Sequence, residues 1–229
     1  MNFLSKILQH NWLAIIYFNF KMLPWKQAIR LPFDFYHSVR YNSLQGRIIL
    51  DANKIYRGMV KFGGRGSEMF SGNKVILDIE GKCVFRGQAE IGYGTFFHVS
   101  KGATITLGNR VRIGAKCKVY ANQEITIEDE TGVSWESQIF DTNFHEIQNI
   151  GCNERLPRDG KIRLGSCNWF GNRCNIMKGT VTPDNLIVAS NSLTNKDYTI
   201  NVPEYSMLAG SPAHLVRQNV QRLFEGKDI

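Results

Sequence analysis

The sequence predicts an all-β fold, a parallel β-helix built from short coils, on two observations. Aliphatic or aromatic residues recur every six positions over most of the 229 residues. Several of them are followed directly by glycine, as in Ile91-Gly92, Ile113-Gly114 and Phe170-Gly171. A helix repeats every 3.6 residues and an alternating strand every two, so neither explains this period. A coil of flat strands does, because one inward side chain per side fills the core and the following corner needs a permissive backbone.

The six-residue repeat predicts coil over 46–202 and one interruption within it. The repeat positions are Ile79, Phe85, Ile91, Phe97, Leu107, Ile113, Val119, Ile125, then in a shifted register Ile127, Val133, Ile139, and finally Leu164, Phe170, Ile176 and Val188. The repeat fails between Phe140 and Lys161, where the sequence becomes polar and contains Pro157. An insertion that leaves a regular coil lies on its surface, and such loops often carry function. We therefore expect a surface loop over 141–160.

The two ends of the chain differ from the coil. Residues 1–45 are rich in aromatic and basic side chains and contain Pro24 and Pro32, which predicts one or two short helical pieces. This segment is expected to cap the open end of the coil, and a position on a membrane surface is the alternative. Over 203–229, the stretch from Ala213 to Phe224 places apolar residues on one helical face and predicts a short C-terminal helix.

Composition narrows the class of partner. The net charge is +8 and the pI about 9.3, which suits nucleic acid, an anionic membrane or a phosphorylated small molecule. The basic residues are dispersed and form no nucleic-acid motif, so nucleic acid is not expected. Five cysteines without a CxxC pair favour reduced core residues and no metal site. No stretch reaches the ~20 apolar residues of a membrane span, and no cleavage site follows residues 12–18, so a cytoplasmic location is expected.

Several motifs carry a resemblance to a known family. They are Trp169-Phe170-Gly171-Asn172, Lys178-Gly179-Thr180, Ala189-Ser190-Asn191-Ser192 followed by Lys196-Asp197, and Ala209-Gly210-Ser211-Pro212-Ala213. Over about residues 80–217 the chain resembles the left-handed β-helix, hexapeptide-repeat acyltransferases. Among these are the sugar O-acetyltransferases, including galactoside and maltose acetyltransferase and the polysaccharide-modifying members. The left-handed sense of the coil is implied by this resemblance.

The resemblance also implies a catalytic base. The segment from Asp141 to His145 matches a D-x-x-x-H pattern at the start of the family's surface loop, where the histidine is the general base. Histidine suits this role because its pKa lies near neutrality. Asp141, Glu146 and Glu130 compete as the acid that orients it. His10, His37 and His98 are expected to be structural. Family members of galactoside type use an asparagine where Ala115-Lys116 stands here, so their sugar specificity is not carried over.

Acetyl-CoA is the co-substrate that the resemblance implies. The residues expected to bind it are Trp169, Gly171, Asn172, Ala189, Ser190, Asn195, Lys196, His214 and Arg217. The backbone amide of Asn172 would stabilise the oxyanion, and Lys196 and Arg217 would meet phosphates. The resemblance further implies a homotrimer with active sites between subunits.

The leading hypothesis is an acetyl-CoA-dependent O-acetyltransferase that acts on a sugar or surface-polysaccharide precursor by direct transfer. An N-acetyltransferase acting on an amino sugar and a non-catalytic β-helix scaffold are the alternatives. A zinc hydratase of the γ-carbonic-anhydrase type would need three coil histidines, and only His98 and His145 stand there.

Overall fold

Three sheets wind around one core in the computed structural model, which describes residues 9–64 and 74–223. As far as Met177, each turn of the chain contributes a strand to each sheet in succession, and beyond it the described residues form strands in only two of the three sheets. Sheet 1 holds β1 (Phe33–Phe35), β4 (Val60–Phe62), β7 (Ala89–Ile91), β10 (Val111–Ile113), β13 (Gly132–Val133), β18 (Trp169–Phe170), β20 (Ile187–Val188), β22 (Ser206–Gly210) and β23 (Ala213–Gln218). Sheet 2 holds β2 (Val39–Leu44), β5 (Val75–Ile79), β8 (Phe96–Val99), β11 (Lys118–Ala121), β14 (Gln138–Phe140), β19 (Asn175–Met177) and β21 (Leu193–Thr194).

Sheet 3 completes the triangular coil. It holds β3 (Arg47–Leu50), β6 (Lys82–Phe85), β9 (Thr104–Leu107), β12 (Glu124–Ile127) and β17 (Ile162–Leu164). Two strands outside the coil, β15 (Ile147–Gln148) and β16 (Arg155–Leu156), pair antiparallel as a hairpin. We call the corner from sheet 1 to sheet 2 the 1–2 edge, and the corner from sheet 2 to sheet 3 the 2–3 edge.

The repeat residues stack directly on one another inside the coil. Val119 lies opposite Phe97 on one side and Ile139 on the other, and Ile176 follows in the same parallel register. All four side chains are fully buried. Each inward residue therefore packs on its counterpart one coil away, and the predicted parallel β-helix is confirmed.

The corner glycines are required by close approach of coils and not, as the sequence analysis assumed, by a permissive backbone. A Cβ on Gly114 would lie 2.5 Å from the backbone nitrogen of Trp135, and one on Gly171 would lie 2.6 Å from that of Ser190. The left-handed backbone falls two residues later, where Lys116 has φ 55° and Arg173 has φ 58°. Residues with side chains adopt this conformation there at a cost in free energy.

The N-terminal segment contains α1 (Trp12–Met22) and α2 (Trp25–Ala28), separated at Pro24 as predicted. The buried face of α1 covers the first strands, and the ring of Phe18 lies 5.1 Å from those of both Phe33 and Phe35. Asn19 fastens the helix, since its amide donates to the carbonyl of Phe33 and accepts from the N–H of the same residue. None of the helices within the described ranges combines the length and apolar character needed to cross a bilayer.

Coil structure begins at Phe33, inside the segment 1–45 for which the sequence predicted a helical cap. Residues 1–8 of that segment lie outside the described residues. The sequence did not reveal the start of the coil at Phe33, because the first coils are longer and irregular and the six-residue repeat is not visible before Ile79.

The predicted C-terminal helix is wrong. Residues from Ala213 form the strand β23, which pairs antiparallel with β22, and Phe224 lies outside the described residues. The last strand of sheet 1 would otherwise present unpaired N–H and C=O groups, and β23 satisfies them. Leu215 and Val216 are partly exposed on this strand. The apolar residues whose spacing predicted a helical face therefore do not form a packed face.

Candidate functional site

The surface loop leaves the coil at the 2–3 edge, immediately after β14, and returns at β17. It spans 141–161, within one residue of the predicted range, and its outer part is the β15–β16 hairpin. The return is fixed by two backbone contacts, from Gly160 N–H to the carbonyl of Asp141 and from Gly179 N–H to the carbonyl of Gly160. The loop is thus a defined element mounted on a rigid coil.

Asp141 anchors the loop to the neighbouring coil. Its side chain is fully buried, and its carboxylate accepts the backbone N–H groups of Asn122, Gln123 and Glu124 at 2.7, 2.8 and 2.8 Å. Burial raises the pKa of the Asp141 carboxyl above its ordinary value, and these three hydrogen bonds only partly offset that rise. Both oxygens are committed to the turn between β11 and β12, so the carboxylate has a structural task at the start of the loop.

Phe144 sets the position of His145. Its backbone is left-handed, with φ 63°, and its N–H donates to the hydroxyl of Thr142 at 3.0 Å. The ring of Phe144 packs edge-on against Tyr120 at 4.9 Å and against Phe140 at 5.5 Å, on the outer side of sheet 2. His145 follows directly and is exposed. Within the described residues it makes no hydrogen bond or ion pair.

The other two acids proposed as partners of His145 are engaged elsewhere. Glu146 forms an exposed ion pair with Arg155 across the hairpin, at 3.3 Å. Glu130 is paired with Arg110. Neither carboxylate contacts His145, so no acid of the same described chain orients its ring.

His98, which the sequence analysis took as structural, is held from several directions. Its Nε2 lies 3.0 Å from the hydroxyl of Ser100, and the ring of Tyr120 stacks on it at 4.1 Å. Its Nδ1 lies 3.0 Å from a carboxylate oxygen of Asp78, but this contact lacks hydrogen-bond geometry and is electrostatic. The contrast with the unpartnered His145 supports the structural interpretation of His98.

The motif residues Trp169 to Asn172, and Ala189 with Ser190 one coil later, lie at the 1–2 edge, whereas Lys178-Gly179-Thr180 lies at the 2–3 edge beside the return of the loop. The side-chain oxygen of Asn172 accepts the hydroxyl of Ser190 at 2.6 Å, and the indole N–H of Trp169 donates to the hydroxyl of Ser134 at 3.1 Å. Trp169 is partly exposed there. The missing side chain of Gly171 lets the next coil approach closely at Ser190, so Asn172 and Ser190 lie next to each other along this edge.

The N–H of Asn172 points to no acceptor among the described residues. This holds equally for Ala115 and Ser190, which occupy the same corner position in other coils, among the residues that the structure describes. A free N–H is therefore not peculiar to Asn172, and it is the neighbouring Trp169 that distinguishes this corner.

The predicted phosphate-binding residues are exposed and lie near the C-terminal end of the coil. Lys196 follows β21 at the 2–3 edge beside Asn195, with its ammonium 5.4 Å from the ring of Tyr198. His214 and Arg217 lie on β23, opposite Ala209 and Met207. Neither Lys196 nor Arg217 forms an ion pair with a described residue. Both cations are therefore available to an anion.

The predicted site residues divide between two edges of a single chain. His145 belongs to the 2–3 edge, whereas Trp169, Asn172 and Ser190 belong to the 1–2 edge. A side of about five residues separates the edges by roughly 16 Å, since strands rise ~3.3 Å per residue. A cleft of about 490 Å³ lies along the 2–3 edge in earlier coils, lined by Gln45, Glu80 and Thr104, and it does not reach the 1–2 edge that holds Trp169 and Asn172. One chain does not bring the proposed base and the proposed oxyanion donor together.

Comparison with known proteins gives relatives of one kind. No family model matches the chain. A candidate acetyltransferase of Staphylococcus aureus (strain Mu50) is 25% identical over 122 residues, which cover 53% of this chain and 59% of that protein. The polysialic acid O-acetyltransferase of Escherichia coli O1:K1 / APEC is 26% identical over 122 residues, 53% of this chain and 38% of that protein. The match thus spans little more than half of the first relative.

A solved structure extends the likeness to the fold. The polySia-specific acetyltransferase NeuO superposes with a TM-score of 0.54 at 21% identity, over 86% of this chain and 91% of that one. The expected left-handed parallel β-helix is thereby confirmed, as is the resemblance to hexapeptide-repeat acetyltransferases.

The anchoring of the loop by Asp141 predicts a large effect of Asp141→Ala on stability. The change leaves three part-buried backbone N–H groups without their acceptor, and each costs at most on the order of 1–3 kcal/mol, the figure for a fully buried group. We expect a clear fall in the unfolding free energy measured by urea titration. Glu146→Ala, which removes only an exposed ion pair of the same loop, is the matched control and should leave it nearly unchanged. Equal effects of the two variants would contradict the anchoring role.

Proposed function

We propose that the chain is an acetyl-CoA-dependent O-acetyltransferase that acts on a sugar or a surface-polysaccharide precursor. The observation that carries the proposal is the mounting of His145, an exposed and unpartnered imidazole on a loop that Asp141 anchors to the coil. A base that must accept a proton from an incoming substrate needs a free nitrogen and a fixed position. The named activity of the Escherichia coli relative favours a hydroxyl over an amine as acceptor.

The reaction follows from these residues. His145 takes the proton of the acceptor hydroxyl as its oxygen attacks the thioester carbonyl of acetyl-CoA. The backbone N–H of Asn172, held in a rigid corner, stabilises the oxyanion of the tetrahedral intermediate. The C–S bond then breaks, and the imidazolium returns its proton to the departing thiolate of coenzyme A. Trp169, Gly171, Ala189 and Ser190 border the pantetheine arm.

Transfer is direct and does not pass through an acyl-enzyme on the buried cysteines. Burial raises the pKa of Cys83 and of Cys117 to about 12, and it also raises that of Cys174. These thiols therefore stay protonated at neutral pH and are poor nucleophiles. Asp141, Glu146 and Glu130 are all engaged elsewhere in the same chain, so none of them orients the His145 ring from within it.

The active site is completed by a second copy of the chain in a homotrimer. The division of the site between two edges supports this, since a neighbour can place its 1–2 edge beside the loop of the first subunit. Three flat sides make a closed three-fold arrangement geometrically simple. The same contact would allow an acid of the neighbour to meet His145.

The trimer predicts complementation between inactive variants. We expect sedimentation at micromolar concentration to give three chains per particle. Refolding a mixture of His145→Ala and Trp169→Ala chains should restore part of the activity, because some interfaces then combine an intact loop with an intact edge. A monomer, or no recovery in the mixture, would contradict a shared site.

The role of His145 predicts a loss confined to turnover. His145→Ala should lower kcat by roughly 10²–10⁴-fold and leave acetyl-CoA affinity and the melting temperature nearly unchanged. The reason is that proton removal is an interaction made in the transition state. His37→Gln, a change at an exposed histidine of the first coil, serves as the control, and its turnover should remain near that of the unchanged protein. Near-full turnover in His145→Ala would refute the assignment.

Coenzyme A binding predicts a thermal shift that depends on the free cations. Acetyl-CoA at 100 times its Kd should stabilise the protein by ~2.7 kcal/mol. Lys196→Ala or Arg217→Ala should weaken acetyl-CoA binding. The same substitutions should reduce the affinity for dephospho analogues by a smaller factor. Lys161→Ala, which removes a lysine already paired with Glu124, is the matched control. No shift at millimolar acetyl-CoA would favour the non-catalytic scaffold.

A further inference from the structure

Helix α1 is apolar on two opposite sides, although only one of them is covered. Ala14, Ile15, Phe18 and Met22 form the side that packs on the first strands of the coil. Leu13, Ile16, Tyr17 and Phe20 form the other side, at the spacing of one helical face, and all four are exposed. A helix that is apolar all round is ordinarily buried on all sides, so the exposed side needs a partner.

The exposed side of α1 continues into α2. Trp25 and Ile29 are exposed, and the ring of Trp25 lies 5.2 Å from that of Phe20. We call Leu13, Ile16, Tyr17, Phe20, Trp25 and Ile29 the outer patch. Leu13 is 84% exposed and Trp25 is 70% exposed. Contiguous exposed apolar side chains of this size mark an interaction surface more often than scattered ones do.

The charged residues on α1, on α2 and just after it are all cationic, and an exposed acid from the coil, Glu80, lines the cleft beside Tyr17 and Lys21 at the edge of the outer patch. Lys21, Lys26 and Arg30 lie on α1, on α2 and just after it, and all three are exposed. No Asp or Glu occurs before Asp34 in the sequence, and Asp34 is buried against His10 at 2.8 Å. A surface of tryptophan, phenylalanine and aliphatic residues edged by cations complements an anionic lipid bilayer.

The outer patch is held rigidly at the end of the coil. The buried amide of Asn19 bonds the backbone of both Ile15 and Phe33, and Phe18 is fully buried among the rings of the first strands. The guanidinium of Arg57 also lies 4.7 Å from the ring of Trp12. The patch is therefore presented as a preformed surface, which lowers the entropic cost of docking.

We propose that the outer patch docks the chain on an anionic membrane surface, with α1 and α2 lying in the plane of the interface. At eleven residues α1 is about 16 Å long, too short to span the ~30 Å hydrocarbon core. A second copy of the chain is the less favourable occupant, because a self-contact would bring Lys21, Lys26 and Arg30 of both copies together.

Vesicle co-sedimentation of the full chain tests this proposal. We expect binding to vesicles that contain one third phosphatidylglycerol in phosphatidylcholine, and at least tenfold weaker binding to phosphatidylcholine alone. The double variant Leu13→Glu/Trp25→Glu should lose binding at least tenfold. Ile200→Glu, a change at a 74% exposed apolar residue near the other end of the coil, is the matched control and should bind as the original protein does.

Further arms separate the contributions and the alternatives. The triple variant Lys21→Gln/Lys26→Gln/Arg30→Gln should abolish the preference for phosphatidylglycerol, and so should 0.5 M salt. Melting temperature and acetyl-CoA binding of the variants report folding and the separate active site, and both should be retained. Absence of vesicle binding, equal binding by Leu13→Glu/Trp25→Glu, or a change of oligomeric state in that variant with no effect on vesicles would overturn the proposal.

Discussion

The close stacking of one coil on the next is the constraint on which this structure depends. Val119 fits between Phe97 and Ile139 because parallel pairing brings like positions together at every turn. At the corners the approach is closer still, since a Cβ on Gly114 would lie 2.5 Å from the next backbone nitrogen. Side chains cannot enter this space, so the interior holds a single column on each side and binding chemistry is left to edges, loops and ends.

The loop at the 2–3 edge depends on the same stacking, because it is attached to the coil directly before it. A segment that leaves the coil would otherwise expose the N–H groups of the turn below it, from Asn122 to Glu124. Asp141 accepts those three N–H groups and fixes the origin of the loop in one step. Phe144 then packs on Tyr120 and Phe140, so the residue directly before His145 is held against sheet 2. Rigid support of this kind keeps a general base at constant reach from its substrate.

Sequence alone predicted the elements that depend on local period and missed those that depend on contacts between coils. The six-residue repeat identified Ile113, Phe170 and the interruption at Asp141, because period and burial are read from the same residues. It did not show that both Asp141 oxygens bind backbone 17 to 19 residues earlier in the chain, since that partner is set by the stacking. The segment from Ala213 was misread as a helix because the need to pair the edge of β22 outweighs helical spacing.

The proposed active site and the proposed membrane contact fit together if the axis of the coil stands perpendicular to the membrane, with the first coil at the bilayer. The outer patch lies at the first coil, and the loop leaves sheet 2 four strand spacings further on, after β5, β8, β11 and β14 have been added to β2. At ~4.8 Å per spacing, His145 would stand roughly 20 Å above a bilayer that holds the patch. That distance places the base beyond the headgroups and within reach of a sugar chain that a lipid carries. The height of the coil between patch and loop would then set which residue of a membrane-linked glycan meets the base.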